Sequence, residues 1–387
     1  MKINIIGGGP AGLYFAILMK KADAAHRITI YERNGPDDTF GWGVVFSGRT
    51  LANLRAADEP THAAITREFE AWDNVDVVHR DEKISIHGNS FSGIARIRLL
   101  KILQARCEEL GIEIKFRREV ADVRSIHAAG DLLVAADGVN STVRQVFADQ
   151  FQTNLSVRPN KYIWYGTHQL FHGLTLTFRE NEAGVFAAHS YKFDGHTSTF
   201  IVECDAQTWQ NANFKDRGDD DTRAYLEREF ARDLHGHELL SNNSKWINFV
   251  LVRNGNWSFD HVVLLGDALH TAHFSIGSGT KLAMEDAIAL AECLAETNDT
   301  RAALGEFVTR RKPVIGDYQA AAMESMLWFE NARDYLRLSP LELAYTLMTR
   351  SGRIDHQTLR HRDPRFIDAY EIATQQSNKE PRAGGAL

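Results

Sequence analysis

The pattern of hydrophobic and polar positions at the start of the chain predicts a strand, a helix and a second strand. Residues 2–6 are mostly apolar, residues 12–21 repeat apolar positions at helical spacing, and residues 27–32 alternate apolar with polar side chains. Three such elements in this order predict a β-α-β unit at the very beginning of the chain.

The pattern then continues with helices and changes to alternating strands. Residues 51–69 look helical with polar interruptions, and residues 95–110 form a stronger helix, since Leu99, Leu103 and Leu110 share one apolar face. The alternation typical of an antiparallel sheet follows in four segments, residues 162–166, 174–178, 185–191 and 198–203.

The last part of the chain returns to a helix at residues 222–234, a buried strand at 261–265 and a helix at 281–295. Helical patterns then dominate to about residue 347. The whole order predicts an α/β fold in which one Rossmann-type nucleotide-binding domain is interrupted by an antiparallel sheet and followed by C-terminal helices.

Composition narrows the class of protein. Hydrophobic residues make up 44% and charged residues 25% of the 387 residues, as in ordinary globular proteins, and the net charge of −7 argues against a nucleic-acid partner. The three cysteines have no C-x-x-C spacing, so we expect neither a disulfide framework nor a metal site, and a cytoplasmic location. No apolar run reaches the ~18 residues of a membrane span.

The glycine-rich segment Gly7-Gly8-Gly9-Pro10-Ala11-Gly12 follows the first strand and opens the first helix. Glycines there permit a tight turn, and the helix N-terminus offers N–H groups to a pyrophosphate. Glu32, 20 residues after Gly12 (32 − 12), is placed to bind the ribose hydroxyls of an adenosine. The alternative, a plain glycine-rich turn, does not explain the correctly placed acid. This motif does not separate FAD from NAD.

A second motif lies far downstream, where the apolar strand 262–265 ends in Gly266-Asp267 and the segment 275–280 leads into a helix. Asp267 suits the polyol of a flavin, and the N-terminus of the following helix would favour negative charge on a reduced flavin. The competing interpretation is a surface turn capped by Asp267.

A third segment, 137–144, suits a contact of Asp137 or Arg144 with a cofactor or a nicotinamide phosphate, although such a segment alone is more often a capped turn.

These motifs together resemble the group A flavin-dependent monooxygenases, and the match runs from residue 7 to 286. Arg96, Leu99 and Leu103 resemble that family's Arg-x-x-Leu-x-x-x-Leu helix, whose Arg lies near the FAD. Segments 41–45, 160–167, 198–204 and 273–277 resemble two groups within it, the salicylyl-CoA 5-hydroxylase and 2-aminobenzoyl-CoA monooxygenase group and the violacein-pathway indole hydroxylase. Residues 274–280 and 286–290 favour the aryl-CoA group.

The resemblance implies an FAD enzyme that uses NADH or NADPH and O2. One oxygen atom would enter an electron-rich aromatic ring through a C4a-hydroperoxyflavin. The expected partner is a small aromatic substrate, most simply an aryl-CoA thioester such as salicylyl-CoA, hydroxylated at position 5. The alternatives are an indole or tryptophan-derived substrate, and a flavin-binding protein without hydroxylase activity.

The expected division of the chain follows from the resemblance. We predict an FAD-binding domain in three parts, residues 1–72, 95–158 and 256–300, substrate-side strands at 73–94, a substrate domain with an antiparallel sheet at 159–255, and C-terminal helices with a polar tail at 301–387. Apolar residues between 310 and 347 would either close the pocket or form a homodimer face.

Cofactor contacts are predicted for fifteen residues of these motifs: Gly7, Gly9, Pro10, Ala11, Gly12, Glu32, Arg33, Gly43, Arg96, Asp137, Asp267, Gly277, Gly279, Thr280 and Lys281.

The substrate side offers candidates rather than assignments. The residues expected to touch substrate are Trp42, Val45, Tyr165, His189, Tyr191 and Phe274. The candidate catalytic groups are Tyr165, His189 and His273, because a base that takes or shares the proton of a ring substituent raises the rate. A strand tyrosine or histidine is more often a packed residue, so the catalytic base stays open.

Two further groups of residues leave alternatives open. Tyr162 and Trp164 either line a flat pocket or belong to the core, and the cations Lys161, Lys192 and Arg253 are candidates for CoA phosphates with nothing to select them.

One departure from the family and three rival classes complete the sequence picture. Most group A hydroxylases have prolines where His273 and Phe274 stand, so the loop over the flavin is expected to differ. A flavin-dependent halogenase lacks support, because its Trp-x-Trp-x-Ile-Pro motif is absent from the sequence. An amine or alcohol oxidase does not account for the segments at 137 and 267, and a flavin-binding regulatory protein would show no substrate-stimulated oxidation of NAD(P)H.

Overall fold

A six-stranded sheet carries the first core. In this computed structural model, which describes residues 1–277 and 279–377, its strands in spatial order are β16 (Ser258–Phe259), β17 (Val262–Leu264), β9 (Leu132–Ala135), β1 (Lys2–Ile6), β2 (Arg27–Tyr31) and β8 (Glu113–Lys115). All neighbours are parallel except β16 and β17. Because parallel sheets are covered on both faces, the central strands β1, β9 and β17 are almost continuously buried, whereas β2 and β8 toward one edge alternate. Ser278 of the second motif and the predicted tail at 378–387 lie outside the described residues.

Helices pack around this sheet: α1 (Pro10–Ala22), α2 (Gly48–Ala57), α3 (Glu59–Thr66), α4 (Arg96–Glu109), α5 (Val123–Ala128), α6 (Thr142–Val146), α7 (Ala148–Phe151), α11 (Gly279–Glu296) and α12 (Thr300–Glu330). The single helix expected at 51–69 is two helices. Asp58 ends α2 and begins α3, where its buried carboxylate accepts the Thr61 N–H at 3.2 Å. This N-cap fixes the break between them.

A second sheet of eight strands lies beside the first core. Its strands in spatial order are β14 (Leu239–Leu240), β10 (Thr153–Thr167), β13 (Ser198–Cys204), β12 (Gly184–Lys192), β11 (Leu174–Asn181), β5 (Val75–His79) and β6 (Glu82–Ile86), and β15 (Ile247–Asn254) also pairs with β10. All pairs are antiparallel except β5 with β11. A small sheet of β3 (Gly43–Phe46), β7 (Phe91–Ala95) and β4 (Glu70–Trp72) lies between the two.

Both faces of the second sheet are covered. The short helices α8 (Ala206–Asn211), α9 (Asp219–Glu229) and α10 (Ala231–Leu234) pack on one face. The end of α12 and the helices α13 (Ala332–Tyr335), α14 (Pro340–Thr349), α15 (His356–Arg362) and α16 (Pro364–Ser377) pack on the other. Trp328, Phe329 and Leu343 are buried there, so these residues cover the sheet and are not free to form an exposed dimer face.

These sheets and helices confirm the predicted fold class. Among the residues that the structure describes, no helix combines the length and the apolar character needed to cross a membrane. The three cysteines are buried and free. His127, Asp260 and His261 bring possible metal-ligand atoms within 4.8 Å of one another, and the two imidazole rings stack with their centroids 4.1 Å apart.

Candidate active site

The loop between β1 and α1 forms an open cradle. Gly7 has a φ of +110° and donates its N–H to the Tyr31 carbonyl at 2.8 Å, while a Cβ on Gly12 would lie 2.2 Å from the Gly7 carbonyl oxygen. By contrast, a Cβ on Gly9 would meet nothing within 4 Å. Gly9 precedes the first residue of α1, so the free N–H groups of the first turn face this space. The cradle therefore fits a pyrophosphate.

Glu32 joins the loops that follow β1 and β2. Its Oε2 accepts the N–H of Gly8 at 2.6 Å and its Oε1 accepts the N–H of Asn34 at 2.8 Å. A carboxylate has about four lone-pair sites, so capacity remains for ribose hydroxyls. Arg33 beside it is exposed to solvent. Two backbone N–H groups thus hold Glu32 beside the glycine-rich loop, and its contact with a ribose stays a prediction.

Asp267 and Arg96 supply charge deeper in the same cleft. The Asp267 side chain is accessible to solvent, but protein surrounds it on most sides. The partial loss of solvent raises the pKa of its carboxyl, while Arg96 and His270 lower that pKa. Desolvation likewise lowers the pKa of the Arg96 guanidinium, and Asp267 opposes that shift. Within the described part of the chain, neither side chain has a hydrogen-bond partner. Two accessible groups of this kind fit the polyol and ring of FAD, which both donate and accept hydrogen bonds.

The second motif places a glycine turn and a helix N-terminus beside β3. Gly277 has a φ of +59°, and a Cβ there would lie 4.0 Å from Val45. Helix α11 begins at Gly279, where a Cβ would meet nothing within 4 Å, and Thr280 is half-buried. Lys281 is different, because its ammonium donates to the Tyr318 hydroxyl at 3.1 Å. That bond turns the Lys281 head group toward α12, so the predicted cofactor contact of this residue is left to the helix N-terminus and stays a prediction.

The Asp137 segment is a capped turn tied to the Gly-Asp motif. Asp137 accepts the N–H of Thr142 at 2.7 Å, and burial raises the pKa of its carboxyl. Arg144 is 2% exposed and donates to the carbonyls of Ala268, at 2.8 Å, and Val139. Since these carbonyls use its donors, Arg144 holds the two motifs together and is not offered to a nicotinamide phosphate.

A buried ionic group lies behind the Gly-Asp motif. Asp286, on α11, is fully buried and lies 2.7 Å from His270 Nε2. Its other oxygen accepts two N–H groups of Arg311, at 2.9 and 2.7 Å. Burial alone would raise the pKa of Asp286, but His270 and Arg311 hold it below its usual value. This group anchors α11 and the Gly-Asp loop to α12.

The alternation of the second sheet sorts the substrate-side candidates into two faces. Tyr162 lies opposite Glu203 across β10 and β13, and Ala187 lies opposite Glu203 across β12 and β13, so His189, two residues from Ala187, shares their face. Tyr165 points the other way, where its hydroxyl donates to Asp219 at 2.9 Å within an apolar cluster. This geometry removes Tyr165 from the catalytic and substrate candidates.

An aromatic wall forms where the loop 273–277 packs on that face. The ring of Phe274 lies 4.7 Å from Tyr162, 5.2 Å from His189 and 4.1 Å from His273, measured between ring centroids. Desolvation, with the charges of Asp267 and Glu203, raises the pKa of Tyr162. Tyr162 is half-buried and packs on Phe274, which places it in this wall rather than in the core.

Strand β3 supplies another side of this region. The Trp42 ring rests on Gly166, where a Cβ would lie 2.7 Å from it. Tyr191 donates its hydroxyl to the Gly43 carbonyl at 2.9 Å, and both are buried. Packing between β3 and the sheet accounts for Gly43 and Tyr191, while Val45 and Trp42 remain half-buried at the edge of the cleft.

Glu203 was not predicted from the sequence, although it lies in the segment 198–204 that carries part of the family resemblance. Glu203 is 2% exposed, yet its neighbours include His189 Nε2 at 3.3 Å and His273 Nε2 at 4.0 Å. An acidic residue at an inward position of an alternating strand was the signal available, because burial of an unpaired charge is costly.

The candidate CoA-binding cations are not brought together. Lys161 donates to Asn248 at 2.6 Å and Lys192 pairs with Glu70 at 2.6 Å, at opposite ends of β13. Arg253 is exposed on β15. The structure therefore does not single out a phosphate-binding group among these three.

Known proteins share this sequence and this fold. The family described as FAD binding domain matches residues 1–320. Salicyloyl-CoA 5-hydroxylase of Streptomyces sp is 41% identical over 379 residues, which cover 95% of this chain and 73% of that protein. Protodeoxyviolaceinate monooxygenase of Chromobacterium violaceum is 34% identical, covering 90% of this chain and 94% of that protein.

A third relative and a solved structure extend the picture. The 3-hydroxy-4-methyl-anthranilyl-(aryl-carrier protein) 5-monooxygenase of Streptosporangium sibiricum is 34% identical, covering 93% of this chain and 97% of that protein. The crystal structure of P. aeruginosa PqsL in complex with 2-aminobenzoylacetate superposes with a TM-score of 0.69 at 20% identity, covering 87% of this chain and 98% of that one, which shows a shared fold. The chain therefore belongs to the FAD-binding-domain family, and it is a flavin-dependent monooxygenase whose cofactor is FAD.

Proposed function

We propose that this enzyme hydroxylates an electron-rich aromatic ring that is carried as a thioester, with an aryl-CoA such as salicylyl-CoA as the substrate and NADH or NADPH as the reductant. The observation that carries the proposal is the aromatic wall of Phe274, Tyr162 and His189 beside the cleft of Asp267. Two of the relatives named above act on aryl thioesters, which supports this substrate class over a free acid.

The residues that would hold FAD follow from the cleft. The N-terminus of α1 at Gly9 would bind the pyrophosphate, Glu32 the ribose, and Asp267 with Arg96 the ribityl chain and the flavin ring. Bound FAD, once reduced, supplies the chemistry that activates O2 and delivers one oxygen atom to the ring. The N-terminus of α11 at Gly279 would stabilise negative charge on the cofactor.

The protein's own contribution is orientation and exclusion of water. Aromatic side chains on the sheet face and in the loop 273–277 would pack against the substrate ring. The rings of this wall lie 4.7–5.2 Å apart and are inclined to one another, Tyr162 and Phe274 by 50° and His189 and Phe274 by 77°. A fixed approach of the ring to the cofactor replaces a random encounter, which is a large part of enzymatic rate enhancement.

A second candidate substrate is an indole of the violacein pathway type. The 34% identity to protodeoxyviolaceinate monooxygenase supports this candidate, because the match covers 94% of that relative. The same wall would accept a fused indole ring. A flavin-binding protein without hydroxylase activity is the remaining alternative, and it would oxidise NAD(P)H without stimulation by any of these compounds.

The test follows NAD(P)H oxidation and hydroxylated product with the FAD-loaded enzyme. Salicylyl-CoA, 2-aminobenzoyl-CoA, the two free acids and an indole are added in turn, with NADH and NADPH in parallel. Product from a thioester and not from its free acid would establish the proposal. Product from the indole alone would move the enzyme to the second candidate. If none of these compounds stimulates NAD(P)H oxidation, the hydroxylase assignment for these substrates is overturned.

The assembly and the location of the enzyme are further parts of the proposal. We keep the homodimer and the cytoplasmic location as predictions. Sedimentation of the holoenzyme tests the first, and the free state of the three buried cysteines supports the second.

A further inference from the structure

We propose that His189 accepts the proton of an activating hydroxyl group on the substrate, or a hydrogen bond from an activating amino group, and that Glu203 is the positioning residue that aims His189 for this step. The inference rests on the hydroxylase part of the proposed function and does not depend on the thioester. The O–H bond of a hydroxyl substituent breaks, its proton forms a bond to His189 Nδ1, and the released electron pair enriches the ring that takes up oxygen; an amino substituent instead donates a hydrogen bond to the same nitrogen and keeps its hydrogen. As the ring carbon releases its own proton to solvent, His189 returns the proton it took to the substituent oxygen and is neutral again.

The first support is the way Glu203 is buried. It lies in the middle strand of three, accepts one hydrogen bond from the Asn160 amide at 2.8 Å, and has no arginine or lysine in an ion pair within the described residues. Burial by itself would raise the pKa of Glu203, but His189, His273 and Asn160 hold it below its usual value. A buried carboxylate whose only ionic partners are histidines is costly as a structural element, since an apolar residue would serve more cheaply.

The second support is a hydrogen-bond chain that fixes the proton on His273. The Arg350 Nε can only donate, and it donates to Ser325 Oγ at 2.8 Å. Ser325 Oγ lies 2.7 Å from Ser275 Oγ, which lies 2.8 Å from His273 Nδ1. The Ser275 N–H, which can only donate, points at His273 Nδ1 at 3.4 Å, so this nitrogen accepts and the two hydroxyls pass their hydrogens toward it.

This chain leaves His273 unable to act as the base. With Nδ1 occupied as an acceptor, the neutral ring carries its hydrogen on Nε2, which faces Glu203 at 4.0 Å. Burial lowers the pKa of His273 to about 4, so it stays neutral near pH 7. His273 thus contributes a donor toward Glu203, and the proton-accepting role falls to His189.

The third support is the state of His189 itself. Its Nε2 lies 3.3 Å from Glu203 Oε2, yet neither buried atom has a hydrogen-bond partner in the described part of the chain. Catalytic hydrogen bonds are often misaligned without substrate and tighten when it binds. With Nε2–H directed to Glu203, the lone pair is on Nδ1, which no described residue engages. The ring lies between Phe274, at 5.2 Å, and Phe329, at 4.6 Å, and so in the aromatic wall.

Other charged groups around His189 come from each element packed on it. β10 contributes Tyr162 and Arg158, and Arg158 is paired with Glu330 of α12 at 2.6 Å. Glu203 comes from β13, His273 from the loop, and Arg350 from α14, where its guanidinium lies 5.5 Å from the Phe329 ring. These groups are charge-balanced except for Glu203 and Arg350, whose opposite charges flank the two histidines. The imidazolium that forms on His189 is therefore compensated by Glu203.

The first test determines which ring nitrogen of His189 carries the hydrogen, and it requires no turnover. Histidine-labelled, FAD-loaded enzyme is examined by nitrogen NMR near pH 7, and the His189 signal is identified by its loss in His189→Gln. We expect the Nε2–H tautomer on His189, and loss of that preference in Glu203→Gln. A hydrogen on Nδ1 of His189, or a tautomer that does not respond to Glu203→Gln, would overturn the inference.

The second test measures hydroxylation with whichever aromatic compound the wild-type enzyme converts. His189→Gln should form product about 10²-fold more slowly while it still binds FAD and oxidises NAD(P)H, and the wild-type rise of product formation with pH should disappear. His172→Gln, an exposed histidine outside the site, is the matched control and should behave as wild type. Unchanged product formation by His189→Gln would refute the role. If salicylyl-CoA gives no product with wild type, the substrate proposal fails, and the NMR result still decides the inference about His189.

Discussion

Replacement of Gly9 by alanine is the sharpest test of the cofactor cradle. A Cβ on Gly9 meets no protein atom within 4 Å, so the fold itself should accept Gly9→Ala. The same space is where the pyrophosphate would contact the first N–H groups of α1. Hydrogen bonds to charged groups contribute about 1.5–3 kcal/mol each. Displacing one of them should weaken FAD binding roughly 10- to 100-fold, because about 1.4 kcal/mol corresponds to a factor of ten.

Gly12→Ala is the comparison, because its Cβ would lie 2.2 Å from the Gly7 carbonyl oxygen. Overpacking of this kind costs about 1–3 kcal/mol and should lower the unfolding midpoint of the apoprotein itself. The assay is FAD titration by flavin fluorescence, together with thermal unfolding of each apoprotein. Gly9→Ala should lose affinity at an unchanged midpoint. Wild-type FAD affinity in Gly9→Ala would refute the placement of the pyrophosphate over this glycine.

Three further predictions concern buried polar groups. Arg144→Met should lower the free energy of unfolding by about 1–3 kcal/mol, because the carbonyls of Ala268 and Val139 lose their donor. Urea unfolding measures this loss, and an unchanged free energy of unfolding would contradict the role given to Arg144. His273 has its pKa lowered from 6.5 to about 4, so the unfolded chain binds a proton that the folded chain excludes. Stability should therefore fall by up to roughly 3 kcal/mol as pH drops through that window, and urea unfolding of His273→Gln at a series of pH values should show a flatter dependence. Tyr165→Phe should keep wild-type hydroxylation and lose about 1 kcal/mol of stability, and a large loss of turnover in steady-state kinetics would restore Tyr165 to the site.

The sequence predicts most of the cofactor side because its constraints are local. A glycine turn, the helix that follows it and an acid at the next strand end are all set by residues close in sequence, as Gly7, Gly12 and Glu32 show. The break at Asp58 was missed, because a helical pattern interrupted by polar residues does not reveal that one of them caps a new helix.

The substrate side is harder to predict, because the face on which a strand residue lies depends on register with other strands. Tyr165 and His189 look alike as aromatic strand residues, but pairing across β10, β13 and β12 places them on opposite faces. Lys281 was predicted from its place at a helix start, and the direction of its ammonium group, which the sequence does not show, is set by Tyr318 farther along the chain. Glu203 becomes notable only when two distant histidines are seen to converge on it.

We propose that this enzyme uses FAD to insert one atom of O2 into an aromatic ring carried as a thioester. The most direct measurement is mass spectrometry of the product after turnover of salicylyl-CoA with NAD(P)H under oxygen gas enriched in its heavy isotope. We expect a hydroxylated thioester that contains one heavy oxygen atom, and NAD(P)H consumed in an amount equal to the product formed. A product without heavy oxygen, or rapid NAD(P)H oxidation that yields only hydrogen peroxide with every aromatic thioester offered, would contradict it.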